Sequence, residues 1–387
     1  MAVRIAKNAS SLRQSLAQPL QYPEKSSTGA VRNKNLVING DFMHWQRGTS
    51  ATVDDTSENS YLSADRWTSI FDNADSDATG TVSRSTDVPL PEFQYSLLHT
   101  TTATGNVNLA AFRYVFEGYD HNKMRGKWVT TSFWFKASEA GEYCFQHHAI
   151  NNGGIMRPFW YPFANDWVKY AFTYYIPDSA NYNNTNGVGS RMYVVFGVSG
   201  NYDVAPGTSY DTWERGSHLY YGTFSNVDIH NISGAEVRIA GVQTEIGKEA
   251  TPFAHEHYTE SLAKCKRYFQ KSTEDGVYPA NGPNTTSFAS SMGNTLNLPP
   301  VAIWSHPTHV YLPVEMRAAP TMTRYGNSQG YWGYLSVGTA GPSGLSSINF
   351  HQNVYIGGTP KTVYVNNQVS TNPMWGAKGM WEADAEL

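Results

Sequence analysis

The sequence predicts an all-β protein, a jelly-roll β-sandwich followed by a linking helix and a second, smaller antiparallel β domain. Three observations carry that prediction. Apolar residues recur at every second position in segment after segment, which places them on one face of a strand. Only one stretch shows a convincing helical stripe. The composition also suits pleated sheet: aromatic residues make up 14% of the chain, with 25 Tyr and 11 Trp, against only 16% charged residues. Tyr and Trp pack well on a pleated surface and can bury a ring while keeping a polar tip wet.

The 387 residues have room for two domains and a short extra segment. Residues 1–33 hold isolated apolar spots (Ile5, Leu12, Leu16, Leu20) among Ser, Gln and Lys, then Pro23 and the run Lys25-Ser26-Ser27-Thr28-Gly29. That is too little apolar surface for a core, so the segment reads as an arm and linker, with residues 8–18 able to form one helix against a partner.

Residues 34–254 read as strand after strand. In Val168–Ile176 every even position is apolar, and Pro177 ends the run. Trp128–Lys136 has Val129, Phe133 and Phe135 on one face, and Met192–Val198 is nearly all apolar, as in a central strand covered on both sides. Between Val237 and Ile246 the apolar parity switches, from Val237 and Ile239 to Val242, Thr244 and Ile246, which predicts a bulge near Ala240-Gly241. The linking helix is placed in residues 255–273, where Tyr258, Leu262, Cys265 and Phe269 form one stripe, with Glu260 early and Lys266, Arg267 and Lys271 late. Residues 274–387 return to strands. Val310, Leu312, Val314 and Met316 alternate, with Pro313 marking an edge or bulge.

Several function classes are disfavoured at this level. The 28 basic and 32 acidic residues leave a formal net charge of −4, which argues against a general nucleic-acid binder. The two cysteines, Cys144 and Cys265, exclude a disulfide framework and a Cys-built zinc site. Two separate buried thiols are favoured over one bridge, because the helical stripe puts Cys265 on a buried face. No segment approaches the roughly 18 apolar residues of a membrane helix. The nucleophile elbow, phosphate loop, dinucleotide fingerprint and zincin spacings are all absent.

Four weaker signals are read chiefly as structural. His255-Glu256-His257 and His147-His148 lack a metalloprotease spacing. Asp75-Ser76-Asp77-Ala78-Thr79-Gly80 starts like a calcium loop but has Thr86 where a bidentate Glu belongs. Asp65-Arg66-Trp67 could offer a sugar an aromatic platform and a bidentate donor, yet reads better as core packing with a buried ion pair.

Three ordered blocks carry a resemblance. The first is Asn35-Leu36-Val37-Ile38-Asn39-Gly40-Asp41-Phe42-Met43-His44-Trp45-Gln46-Arg47-Gly48 with Ala64-Asp65-Arg66-Trp67. The second is Ala240-Gly241-Val242-Gln243-Thr244-Glu245-Ile246-Gly247 with Ala250-Thr251-Pro252-Phe253 and Cys265-Lys266-Arg267-Tyr268-Phe269. The third is Pro313-Val314-Glu315-Met316-Arg317-Ala318-Ala319-Pro320-Thr321 with Ala383-Asp384-Ala385-Glu386-Leu387. Together they resemble bacteriophage tail-fibre and virion structural proteins whose first domain is similar to the jelly-roll carbohydrate-binding modules.

Met1-Ala2-Val3-Arg4-Ile5-Ala6 has no apolar stretch behind its charges, so no secretory signal is expected and synthesis in a host cytoplasm is. The resemblance implies a homotrimeric virion appendage subunit. It would be held to other virion proteins through residues 1–33 and would recognise a host surface glycan or protein. It implies neither nucleic-acid binding nor membrane insertion. Glycan contacts are expected at the aromatics Trp160, Tyr161, Tyr182, Tyr202, Tyr210 and Trp213, read as loop residues. A structural calcium would involve Asp41 with Glu245, although the closing strand lacks the paired aspartates often found there; no other cofactor is implied. A purely structural virion component is the alternative reading. A polysaccharide-degrading spike enzyme comes third, because no internal repeat of a β-helix is present. No catalytic residue is expected.

Overall fold

In the computed structural model the segments with period-two patterning become strands, and most of them join two six-stranded antiparallel sheets packed face to face. The structure describes residues 35–387 apart from 55–59, 74–76, 150–152, 179–184, 199–202, 205–209, 215–221, 224–225, 274–277, 280–307, 326–331, 338–344, 352–353, 368–373 and 379. Most side chains of the C-terminal strands are also left undescribed. The chain divides into two units, Met1–Lys34 and Asn35–Leu387. The expected anchoring arm lies outside the described residues.

The first sheet runs β1 (Ser50–Val53), β3 (Thr79–Ser85), β4 (Ser96–Ala103), β14 (Glu236–Ile246), β6 (Lys127–Ala137) and β9 (Val168–Ile176). The second runs β12 (Tyr210–Glu214), β8 (Gly153–Tyr161), β7 (Gly141–Ala149), β10 (Val188–Val198), β5 (Val107–Glu117) and β2 (Trp67–Asn73). A short parallel pair, β11 (Asp203–Val204) and β13 (Gly222–Thr223), completes this part, with β13 against β7, β8 and β10. Helix α1 (Gly118–Met124) follows β5.

Alternation fills the space between the sheets. From β6 come Val129, Phe133 and Phe135, and from β9 Phe172, Tyr174 and Ile176. They meet Phe145, Phe159 and Phe112 of the second sheet, with Phe145 stacked on Phe172 at 4.8 Å. Burying each such ring contributes about 1.5–3 kcal/mol. β10 is buried throughout its second half, as its unbroken apolar run predicts. Its outward residues Tyr193, Val195 and Val198 join Ile70, Leu109, Ala111, Cys144 and Met156 in a second buried cluster on the back of the sheet. Cys144 and Cys265 are buried and unbridged.

The parity switch in β14 is a bulge. Ala240 pairs with Trp134 and Gln243 with Ser132, so two residues of β14 face one of β6. Gly241 sits there at φ +58°, the left-handed conformation that a glycine adopts without penalty, and a Cβ on it would lie 2.6 Å from the Phe93 ring. Gly40 has a different reason to be glycine. Its carbonyl accepts from Val242 N at 2.8 Å, and a Cβ would come within 2.0 Å of the Val242 oxygen.

Polar groups run through the sandwich interior. The Thr244 and Thr131 hydroxyls are 2.9 Å apart, and Thr131 lies 2.9 Å from the Tyr174 hydroxyl. His147 bonds Tyr174 through Nδ1 at 2.6 Å and Ser190 through Nε2 at 2.8 Å, and Ser190 reaches His121 Nδ1 at 2.8 Å. Every member is buried or nearly so, and mutual hydrogen bonding offsets the loss of water.

The entry turn is held by its own polar groups. Asn39 and Phe42 both have left-handed backbones, at φ 58° and 56°. Asn39 Nδ2 donates to the carbonyls of His44 and Asp65, each at 3.0 Å, and its Oδ1 accepts from His44 N at 3.0 Å. Phe42 is fully buried against Trp67. Arg66, also left-handed at φ 72°, is fully buried, pairs with Glu386, donates to Val115 O at 2.7 Å and stacks on Tyr268. Arg47 pairs with Asp384 at 3.1 Å and Glu386 at 3.3 Å and lies over Phe269.

The helix is shorter than its stripe predicts: α2 covers Tyr258–Lys266, and Phe269 belongs instead to β15 (Phe269–Lys271). Pairing with β23 (Met380–Asp384) wins over another helical turn, and β23 also pairs with β17 (Thr321–Tyr325). Tyr258 is 46% exposed because it heads the helix, although its ring still reaches His44. The expected strand through Met316 is shorter too. β16 (Thr308–Tyr311) stops before Pro313, at the edge of a three-stranded sheet with β21 (Thr362–Asn367) and β20 (Val354–Gly358). A last sheet contains β19 (Leu345–His351), β18 (Trp332–Val337) and β22 (Met374–Lys378). Among the described residues no helix is long and apolar enough to cross a membrane.

Two stability predictions follow from buried charge. Glu386→Ala leaves the Arg66 guanidinium buried without its carboxylate and should cost about 3–5 kcal/mol in denaturant unfolding. Burial also holds His230 and His148 down to about 3 and His121 to about 4, with His99 and His147 well below their ordinary value. The unfolded chain takes up these protons first, so stability should fall as pH drops from about 6.5 toward 4. Burial raises Asp65 and Asp228 to about 6, which opposes the trend with fewer groups. Among the described residues neither ring nitrogen of His230 has a hydrogen-bond partner, so His230→Phe should flatten the acid limb of a Tm-against-pH profile.

Candidate functional site

On the outer face of the first sheet, alternation leaves an aromatic pair in solvent. Trp128 is the second residue of β6 and pairs with Tyr175 near the end of β9. Their neighbours Val129 and Tyr174 point inward, so these two rings must point out. Trp128 is 43% and Tyr175 42% exposed, with ring centroids 5.8 Å apart and planes 59° to one another. Lys248 places its ammonium 4.7 Å from the centroid of the Trp128 ring.

The backbone around this pair is fixed. Gly247 N donates to Trp128 O at 2.9 Å. The Thr130 and Thr173 hydroxyls lie 2.8 Å apart and reach the Gly247 and Lys248 carbonyls at 3.1 and 3.2 Å. Further along, Glu245 accepts from Thr251 N (2.7 Å), Thr251 Oγ1 (2.8 Å) and Gln243 Nε2 (2.9 Å), and Gln243 Oε1 accepts from Ala254 N (2.8 Å). Two flat rings and a cation are thus presented on a preorganised surface, suited to stacking against a ligand with apolar faces and polar edges.

The aromatics singled out from the sequence separate. Trp160 and Tyr161 lie in strand β8 and not in a loop, and adjacent strand residues take opposite faces. Trp160 is 66% exposed. Tyr161 is fully buried, with its hydroxyl donating to Asp166 O at 2.8 Å, so a surface contact there is corrected to a core role. Trp213 is in β12, half-buried, with its ring 5.8 Å from His147 and 6.4 Å from His121. Tyr210 opens the same strand, its side chain outside the description, and Tyr182 and Tyr202 lie outside the described residues altogether.

The expected calcium ligands have other surroundings. Both oxygens of Glu245 already take donors from Thr251 and Gln243. Asp41 is half-buried; burial raises its carboxyl above the ordinary value, against the pull of backbone donors and His255. Among the described residues no group of three or more His, Cys, Asp or Glu is arranged to hold a metal ion.

The other short motifs are also taken up structurally. His257 Nδ1 caps α2 at Thr259 N, Glu256 pairs with Lys264, and His255 packs on Phe253 at 4.9 Å. His147 and His148 face opposite ways, the former into the core and the latter against Tyr193 at 5.4 Å. Of the calcium-like loop, Asp75 and Ser76 lie outside the described residues, while Thr79 and Gly80 belong to β3. Asp65, Arg66 and Trp67 are all buried, as core packing with an ion pair requires.

Trp128 and Tyr175 were not among the sequence candidates. Both sit at the solvent parity of strands whose apolar faces are legible in the sequence, and a large ring at that parity is the signal. Their pairing depends on register between strands some forty residues apart, which no local pattern encodes.

No family model matches the sequence, and no curated protein is similar to it. Among solved structures, the chain is similar to the enzymatically active domain of tailspike protein 4 of bacteriophage CBA120, at 14% identity and a TM-score of 0.31. That match covers 55% of this chain and 22% of the tailspike. It is similar to a CBM4 structure at 14% identity and a TM-score of 0.29, covering 54% of this chain and 98% of the other. It is also similar to the CBM22-1 xylan-binding domain of Xyn10C from Paenibacillus barcinonensis, at 12% identity and a TM-score of 0.25, covering 52% and 95% respectively.

Exposure separates the two kinds of aromatic. Trp128→Ala and Trp160→Ala should change unfolding free energy by no more than about 0.5 kcal/mol. Tyr161→Ala should cost about 3–5 kcal/mol, since it empties a ring-sized volume of the core. Urea denaturation of the three variants measures the difference.

Proposed function

We propose that the protein is a non-catalytic, tail-fibre-like subunit of a bacteriophage virion appendage, whose sandwich binds a glycan on the host surface. The observation that carries the glycan part is the Trp128–Tyr175 pair, two rings left in solvent on a backbone fixed by hydrogen bonds. A sugar has an apolar C–H face and a hydroxyl rim. A ring held flat and half-exposed stacks on the former without the entropy cost of ordering a loop. The virion part is supported by the three sequence blocks resembling phage tail-fibre proteins. In that setting the subunit is a homotrimer, and residues 1–33 bind neighbouring virion proteins.

Purified full-length protein should compete with phage for adsorption to host cells and bind host-surface oligosaccharides. Trp128→Ala combined with Tyr175→Ala should weaken that binding by about tenfold or more while the fold, followed by circular dichroism, is retained. Binding unaffected by the double substitution would remove this surface from the reading, and release of reducing ends from host polysaccharide would overturn the non-catalytic assignment.

A further inference from the structure

We propose that the Trp128–Tyr175 platform selects acidic saccharides, with Lys248 as the group that reads the sugar carboxylate; this rests on the glycan reading above. The ammonium of Lys248 stands over the Trp128 ring, 4.7 Å from its centroid, so a saccharide that approaches this ring meets the charge directly. Among the described residues no carboxylate pairs with it, including its exposed neighbour Glu249. Other charges at this end of the sheet are already committed. Asp178 pairs with Arg125 at 2.6 Å, and Asp120 with Lys123 at 2.7 Å. Lys127, which precedes Trp128, donates to the Lys123 carbonyl at 2.9 Å and has no carboxylate partner among the described residues. Asp178 and Asp120 are thus spent on other cations, and Lys248 and Lys127 give the platform positive charge beside the exposed Glu249.

Two further points favour a carboxylate over a neutral hydroxyl. The Lys248 backbone is pinned by Thr173 Oγ1 at 3.2 Å and follows Gly247, whose N–H is bound to Trp128 O. The stem therefore leaves the sheet from a fixed point beside the indole, and only the side-chain torsions are left to order when a ligand arrives. A lysine ammonium is a compact, strongly hydrated charge, which a carboxylate attracts more than a sugar hydroxyl does. A uronic or sialic acid ring set against this tilted pair would turn its carboxylate toward the ammonium that stands over the indole.

The test uses the full chain and an array of bacterial surface oligosaccharides, each acidic member printed beside a copy whose carboxyl groups have been reduced to alcohols. The parent chain should prefer the acidic copy by about three- to fivefold at low ionic strength, and about 0.5 M salt should shrink that preference. Lys248→Gln should abolish the preference and keep the binding of the reduced copies, whereas Trp128→Ala should lose both. Equal binding of acidic and reduced copies by the parent chain, or an unchanged preference in Lys248→Gln, sinks the acidic-sugar assignment and leaves the glycan reading standing. Binding to no member of the array overturns both.

Discussion

Arg47 and Arg66 carry two positive charges into the interior, and the chain meets them with Asp65, Asp384 and Glu386 and with the rings of Phe269 and Tyr268. A guanidinium without a partner at such a depth is costly, and the partners come from opposite ends of the described chain. The entry turn at residues 39–47 and the strand around residue 384 are therefore conditional on one another. Arg317 reinforces the arrangement by donating to the carbonyls of Ala385 and Glu386, at 2.7 and 2.8 Å. Glu117 does the same from the sandwich side, receiving Arg267 and the Tyr268 hydroxyl, each at 2.6 Å. The sandwich and the C-terminal sheets share this polar knot, so their stabilities are coupled.

Much of this architecture is legible in the sequence, because strands declare themselves locally. The alternation in 168–176, the apolar run in 192–198 and the parity switch near 240 each translate into a strand, a central strand and a bulge. Failures occur where a distant partner decides. The helical stripe through Phe269 is real as a pattern, yet β23 offers backbone hydrogen bonds that end the helix earlier. Tyr161 looks like a binding aromatic until its strand neighbour Trp160 takes the outward face. The resemblance found the Asn-Gly-Asp-Phe entry turn but not its logic: Gly40 is needed for close approach to Val242, while Asn39 and Phe42 carry the unusual backbone angles.

The two sheets are unequal in what they can offer a ligand. The back of the second sheet holds a buried apolar cluster around Cys144 and Tyr193, so much of that face is already used by the chain itself. The first sheet spends its interior face on the Phe133–Phe172 packing and the Thr131–Tyr174–His147 hydrogen bonds. Its outer face closes over Gln243 and Glu245 but leaves the end bearing Trp128 and Tyr175 uncovered. The proposed recognition surface thereby sits at one end of one sheet, behind which the packing is dense and Thr131, Tyr174 and His147 bond one another.

A strand counts in twos, and Gly241 changes the count by one. Before it, β14 gives Val237 and Ile239 to the core; after it, Val242 and Thr244 take that place, and Gln243 and Glu245 are handed to the other side. Once there, these two side chains grip Thr251 and Ala254, and the segment between strand and grip includes Lys248. The phase of one strand thus fixes where a lysine seven residues later leaves the surface. A glycine that touches no ligand sets the address of the charge that would greet one.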